Sequence, residues 1–219
     1  MRPISRPLTA RAPGVVLVSL LAALLAAGCA LTSKSEPVTS RYFTPERPGE
    51  TARPAARPAG AAGELRLGRI SDAAYLDDRL VYRDSDHEVG YYQERRWTEA
   101  PEQYLRRRLS RVLFEERGIV QVVGGGAVTL EVDLVAFEEI RAPRRIARVQ
   151  VTARVHDQRS VRWAETLTVD QPVAAAPGDG ADAAVDALGV ALRAVVDKIA
   201  ERVVKELAAP SASPPAQPR

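Results

Sequence analysis

One cysteine, two histidines and an aromatic content of 5% bound what this 219-residue chain can do. A single cysteine, Cys29, excludes a disulfide within the chain. With only His87 and His156 beside it, the chain is short of the ligands that His/Cys metal sites require. Acids are missing from the first 28 residues, where Arg2, Arg6 and Arg11 precede the apolar run Gly14 to Ala27. That run of 14 residues is shorter than the roughly 20 that a helix needs to cross a bilayer. A basic start, an apolar core and a small-residue end are the order of a secretory signal, expected over residues 1–28.

The stretch Leu25-Ala26-Ala27-Gly28-Cys29 resembles a bacterial lipobox, with cleavage between Gly28 and Cys29 and lipid attachment at Cys29. Lipidation accounts for a lone thiol in a secreted chain, and two or more acyl chains hold a protein on a leaflet stably where one is marginal. Ala30 follows the cysteine in place of Asp, which in such lipoproteins points to the outer membrane. Removing Arg2, Arg6 and Arg11 leaves 28 basic against 28 acidic residues. The mature chain is formally neutral and lacks the net basic character of a nucleic-acid binder.

Residues 29–63 hold the lipidated cysteine and a Pro/Ala-rich tether, too poor in apolar surface to offset chain entropy and able to span on the order of 30 Å. Arg41-Tyr42-Phe43-Thr44 interrupts it as a candidate edge strand. Residues 64–208 form one domain, and 209–219 a disordered tail. Leu65, Leu67 and Ile70 mark a strand, and Leu80 to Arg83 and Val89 to Tyr92 flank the turn-forming run Asp84-Ser85-Asp86-His87, a hairpin. Thr98 is placed to cap a helix with Pro101 in its first turn and an apolar stripe of Leu105, Leu109, Val112 and Leu113, ending at Gly118. Ile119 to Val123 suggests a short strand closed by Gly124-Gly125-Gly126 as a hairpin turn. Alternation is strict in Val128 to Ala136 and in Ala147 to Val155, and a third run holds Val161, Trp163, Leu167 and Val169, broken by Glu165. Val185, Leu188, Leu192, Val195, Ile199, Val203 and Leu207 stripe a long final helix. The expected class is α+β: a mainly antiparallel sheet with two amphipathic helices on one face and the other face open.

Residues 71–97 pack carboxylates, a histidine, four tyrosines and a tryptophan so densely that they invite reading as an active site. Reactive spacings are missing. Asp84-Ser85-Asp86-His87 lacks the glycine and distal glutamate of a calcium loop. No serine sits in a G-x-S-x-G elbow. The three glycines precede a strand and no Lys-Ser/Thr follows them, so they form no phosphate loop. His156, beside Asp157 at a strand end, reads as a surface residue, and Arg106, Arg107, Arg108 and Arg111 as a solvated helix face with a Glu102–Arg106 pair. Neither an enzyme nor a resident cofactor is expected.

The lipobox, Arg41 to Thr44, Leu65 to Ile70, Tyr75-Leu76-Asp77-Asp78-Arg79, Leu80 to Arg83, Trp97-Thr98-Glu99-Ala100-Pro101 and the later run Leu130 to Glu139 together resemble the ABC-type transport auxiliary lipoprotein family. The resemblance implies a non-enzymatic outer-membrane lipoprotein facing the periplasm. It would work with an Mce-domain protein and an ABC permease and ATPase to move lipids between the membranes, with self-association left open. Tyr92 and Phe137 are then candidate contacts on an exposed partner face. Two other functions fit the same residues: a scaffold for another envelope-assembly machine, and a lipid carrier using room beside Ala184, Ala187, Ala191 and Ala194.

Overall fold

A computed structural model of the chain describes residues 39–47, 63–175 and 180–209. The signal segment, Gly28, Cys29, most of the tether and the tail from 210 lie outside the described residues. The elements are β1 (Arg41–Phe43), β2 (Glu64–Asp72), β3 (Arg79–Arg83), β4 (Gly90–Trp97), α1 (Pro101–Ser110, prolonged by a π-helical stretch Arg111–Glu116), β5 (Val120–Gln121), β6 (Val128–Ile140), β7 (Ile146–His156), β8 (Val161–Pro172) and α2 (Ala181–Ala208).

Strict alternation makes β6 and β7 the centre of an eight-stranded sheet. Strand β7 lies antiparallel to β6 along its whole length, and β8 lies antiparallel to β7. The opposite side of β6 is shared. Its first half pairs in parallel with β2 and its last residues, Glu138 to Ile140, pair in parallel with β3. Strand β4 closes the expected hairpin with β3, β1 runs parallel to β4, and β5 runs parallel to β2. The sheet is therefore mixed: the longest ladders are antiparallel as expected, but β1, β2, β3 and β5 bring parallel pairings that alternation does not encode.

Three local expectations are corrected. Gly124-Gly125-Gly126 is no hairpin turn, because β5 and β6 flank β2 on opposite sides and both run parallel to it; the glycines carry the chain across the start of β2. Thr98 does not cap α1. Ala100 is the N-cap, and the Thr98 hydroxyl meets the Tyr104 hydroxyl at 2.7 Å instead. Glu102 bonds Gln103 at 3.2 Å and neighbours Asp72, with no ion pair to Arg106 among the described residues.

Both helix stripes are buried as expected, Leu105, Leu109, Val112 and Leu113 from α1 and Val185, Leu188, Leu192, Val195, Ile199 and Val203 from α2. They share one core with Ala147, Val149, Val151, Ala153 and Val155 of β7, all fully buried. Each full valine or leucine burial contributes about 1.5–3 kcal/mol. Gly118, at φ 68°, ends the first helix in the left-handed region that favours glycine.

Strand β6 holds the main departure. Leu134 faces Val151, yet Ala136 faces Gln150 and Phe137 faces Val149. Val135 is thus an extra residue, a bulge that turns over the faces of everything after it. Even positions point into the core before the bulge, odd positions after it. Phe137 is fully buried against Trp97, with ring centroids 5.2 Å apart.

Candidate functional site

The bulge turns Glu139 into the core and buries Glu138 beside it, and residues 71–97 close around them. Glu139, 1% exposed, accepts the Tyr92 hydroxyl at 2.6 Å and Arg145 Nε at 2.6 Å, with Arg141 Nε at 3.3 Å. Glu138 accepts Arg83 Nε at 2.7 Å and the Tyr75 hydroxyl at 3.2 Å. The arginines also cover rings: Arg141 stands 3.4 Å above Tyr82 and Arg79 3.7 Å above Tyr91, and cation–π contacts of this kind strengthen as they are desolvated. Burial, and then the neighbouring carboxylates, push the phenols of Tyr75 and Tyr92 above their ordinary range. A phenol with a raised pKa stays protonated and donates; it is a poor base.

The dense stretch is therefore architecture. Several of its carboxylates and arginines pair with each other or with β6: Asp77 holds Arg79 at 2.7 Å, and Asp78 holds Arg96 at 2.9 Å. His87 sits exposed in the hairpin turn. Among the described residues no group of three or more His, Cys, Asp or Glu is arranged to hold a metal ion.

Tyr92 and Phe137, expected on an exposed partner face, are both buried, at 7% and 0% exposure. The bulge moved Phe137 inward, and Tyr92 packs edge-on against Tyr82 at 5.4 Å with its hydroxyl on Glu139. Neither lines a surface.

The open face lies instead on β6, β7 and β8, and it is a polar ladder. Arg148 bonds Asp170 at 2.8 Å, Gln150 bonds Thr168 at 2.8 Å, Thr152 meets Thr166 at 3.0 Å, and Arg154 lies 3.7 Å from Glu131. An exposed cross-strand pair such as Glu131–Arg154 is worth a few tenths of a kcal/mol. At one end His156, Asp157, Arg159, Ser160 and Val161 line a shallow dent of 390 Å³. Backbone N–H groups of Arg159 and Ser160, then Arg162, hold the Asp157 carboxyl down at about 2. Asp157 is an anionic turn former there, with no proton to give at neutral pH.

A third feature was only half visible. Strand β1 docks as the expected edge strand, and the residues after it form a strap over the helices. The Phe43 carbonyl accepts the Thr98 N–H at 2.9 Å, Glu46 holds Arg107 at 3.1 Å, and Arg47 holds Asp186 at 3.3 Å. A Cβ on Gly189 would stand 2.3 Å from the Pro45 carbonyl oxygen, so only glycine lets the strap cross α2 so closely. Ala184, Ala187 and Ala191 are buried within the core, and close packing uses the row in which room for a ligand was considered.

The fold and these surfaces have known counterparts. The family model of the ABC-type transport auxiliary lipoprotein component matches residues 47–200. A crystal structure of a protein from Xanthomonas campestris is similar over 76% of this chain and 96% of its own, with 19% identity and a TM-score of 0.61. A second crystal structure, of an uncharacterised protein, is similar over 75% of this chain and 99% of its own, with 18% identity and a TM-score of 0.58. At such identities the likeness is one of fold. Among curated proteins none matches. The chain belongs to the ABC-type transport auxiliary lipoprotein component family.

Proposed function

We propose that this chain is a non-enzymatic lipoprotein, anchored through Cys29 to the outer membrane and facing the periplasm. In that position it serves an ABC/Mce-type system that moves lipids between the two membranes by docking to an Mce-domain partner. The match to the family over residues 47–200 carries this reading. The pairing of much of the dense 71–97 stretch into a structural network, with the phenols of Tyr75 and Tyr92 held protonated, agrees with a protein that works by contact.

The strap adds a geometric constraint. If Cys29 carries the lipid, the chain from Cys29 to Arg41 reaches at most about 40 Å when fully extended. The tether then enters the domain at the edge bearing β1, and the ladder on β6, β7 and β8 is left to meet a partner. Acyl chains contribute about 0.8 kcal/mol per buried methylene, enough with two or more chains for stable anchoring.

Two experiments test the reading. Cys29→Ala is expected to release the protein from the outer-membrane fraction; retention there would remove the anchor from the account. Affinity purification of the wild-type chain from membranes is expected to bring down an Mce-domain protein with its permease and ATPase. Recovery of a β-barrel assembly component alone would favour a scaffold of another envelope machine.

A further inference from the structure

Strand β8 is the sheet's long free edge: among the described residues it pairs only with β7. Its hydrogen-bond phase can be read. Val173 donates its N–H to the Arg145 carbonyl at 3.1 Å, just past the Ile146–Pro172 pair. Antiparallel pairs alternate in type, so the backbone groups of Trp163, Glu165, Leu167 and Val169 point at β7. Those of Ala164, Thr166, Thr168 and Asp170 point outward. Pro172 falls in the outward set, where its missing N–H costs the ladder nothing. The edge thus offers four consecutive outward-facing donor–acceptor positions before the proline closes it.

The same strand floors a groove. Helix α2 runs antiparallel to β8, from Gly180, whose carbonyl Arg145 reaches, to Arg202, whose guanidinium lies 5.6 Å from the Trp163 ring centre. The helix stops short of covering the strand: Trp163 is 6% exposed, but Leu167 is half-buried and Glu165 exposed. Trp163, Glu165 and Leu167, with Lys198, Glu201, Arg202 and Lys205, line a groove of 400 Å³. Its charges are unequally used. Arg202 pairs with Glu206 at 3.2 Å, and Glu165 accepts the Trp163 indole N–H at 3.0 Å. Lys198 and Lys205 are exposed and make no ion pair among the described residues, and the exposed Glu201 lies on the helix between them.

We propose that the β8 edge and the groove beneath α2 receive an extended protein segment as a further strand, with acidic side chains toward Lys198 and Lys205 and an apolar one between them. Backbone pairing to an edge supplies affinity and alternate side chains supply selectivity in this mode of recognition. The spacing fits. Lys198 and Lys205 are about 10.5 Å apart along the helix, and acids four residues apart on a strand are about 13 Å apart, within reach of flexible lysines. An apolar residue between them falls beside Glu165, where a third acid would repel. The groove's chemistry is independent of which machine supplies the strand, so this test and the co-purification above fail separately.

The probe is the fluorescein-labelled heptapeptide TETVTET, measured by anisotropy against the full-length chain in detergent. Binding is expected to weaken at least tenfold with K198E/K205E, and likewise with Ala164→Pro, which removes one outward N–H while the groups facing β7 stay. The lysine-bearing peptide TKTVTKT is expected to bind at least tenfold more weakly. Should Ala164→Pro unfold, TETVTET methylated on alternate backbone nitrogens, tested on the unaltered chain, carries the same question; one of its two methylation phases is expected to abolish binding. No binding of TETVTET, or equal binding to every variant and peptide, overturns the proposal. So does an Ala164→Pro-sensitive dimer in sedimentation that excludes the peptide, which would assign the edge to a second copy. Lysine-dependent binding to phosphatidylglycerol vesicles, indifferent to Ala164→Pro and accompanied by no peptide binding, would assign the groove to lipid.

Discussion

The carboxylate of Glu139, 1% exposed, accepts the Tyr92 hydroxyl at 2.6 Å across two strands that are not neighbours in the sheet. Strand β3 lies between them, so the contact ties the hairpin to β6 through the core side.

That tie sets an order of stabilities. Glu139→Ala leaves the Tyr92 hydroxyl and two half-buried guanidiniums without their acceptor, and removing one partner of such a network costs about 2–4 kcal/mol. Tyr92→Phe removes a single hydrogen bond and costs about 1 kcal/mol. Urea unfolding monitored by tryptophan fluorescence is expected to rank wild type above Tyr92→Phe above Glu139→Ala. Equal midpoints for the two variants would contradict the network.

Val135 supports a sharper prediction. Deleting it leaves Leu134 opposite Val151, Ala136 opposite Gln150 and Phe137 opposite Val149 in plain alternation, so Phe137 and Glu139 stay inward and the variant is expected to keep cooperative unfolding. Val135→Thr, at an exposed position, is expected to stay within about 0.5 kcal/mol of wild type. Differential scanning calorimetry checks both, and loss of the cooperative transition in the deletion variant would contradict the reading of Val135 as the extra residue.

Asp72, at the end of β2, faces Glu102 in the first turn of α1. Burial first, then the hydrogen bond and charge of Glu102, push it from 3.8 up to about 6. Between those values the folded chain keeps a proton that the unfolded chain has lost, so this group makes stability fall as pH rises through that window and level off above it. Asp77, Asp157 and Asp170 are shifted downward, and their contribution is lost only below the ordinary aspartate value. Asp72→Asn is expected to flatten the slope between pH of about 4 and about 6 and to raise the urea midpoint at neutral pH. An unchanged slope would mean that the pair is not coupled.

Gly189→Ala tests the strap. Alanine favours a helix by about 1 kcal/mol over glycine, so α2 itself gains, while the new methyl collides with the Pro45 carbonyl. The expected result is faster trypsin cleavage after Arg41 with little loss in melting temperature.

Much of the fold was legible because it rests on periodicity. The β6 alternation up to Leu134 and that of β7, the two helix stripes, the β3–β4 hairpin and the docked Arg41–Phe43 strand all follow from which residues are apolar and where turn formers fall, whereas Ala136, expected with the core-facing set, faces Gln150. Pairing direction was not legible, since β2 and β3 join β6 through contacts distant in sequence and no local residue encodes them. Nor was the bulge: Val135 and Ala136 are both acceptable on either face, one of Glu138 and Glu139 points inward in either phase, and the signal that existed was Phe137, which unbroken alternation would turn outward. The exposed-face assignment of Phe137 failed for that reason, and that of Tyr92 because its ring packs on Tyr82 and its hydroxyl reaches Glu139. The β8 edge was visible as a run broken by Glu165, but its freedom and the lysines above it required the helix to be placed.

The fork in the sheet divides the domain into two leaves on one spine. Strand β2 leaves β6 at Leu134 and β3 joins at Glu138, with the bulge between them. The hairpin leaf, with β1 and the strap, can therefore loosen as a unit while β2, β7 and β8 stay zipped to β6. Amide exchange in β3 and β4 would then report a local opening at lower cost than exchange in β7, and a pull on the strap would be felt by one leaf before the other.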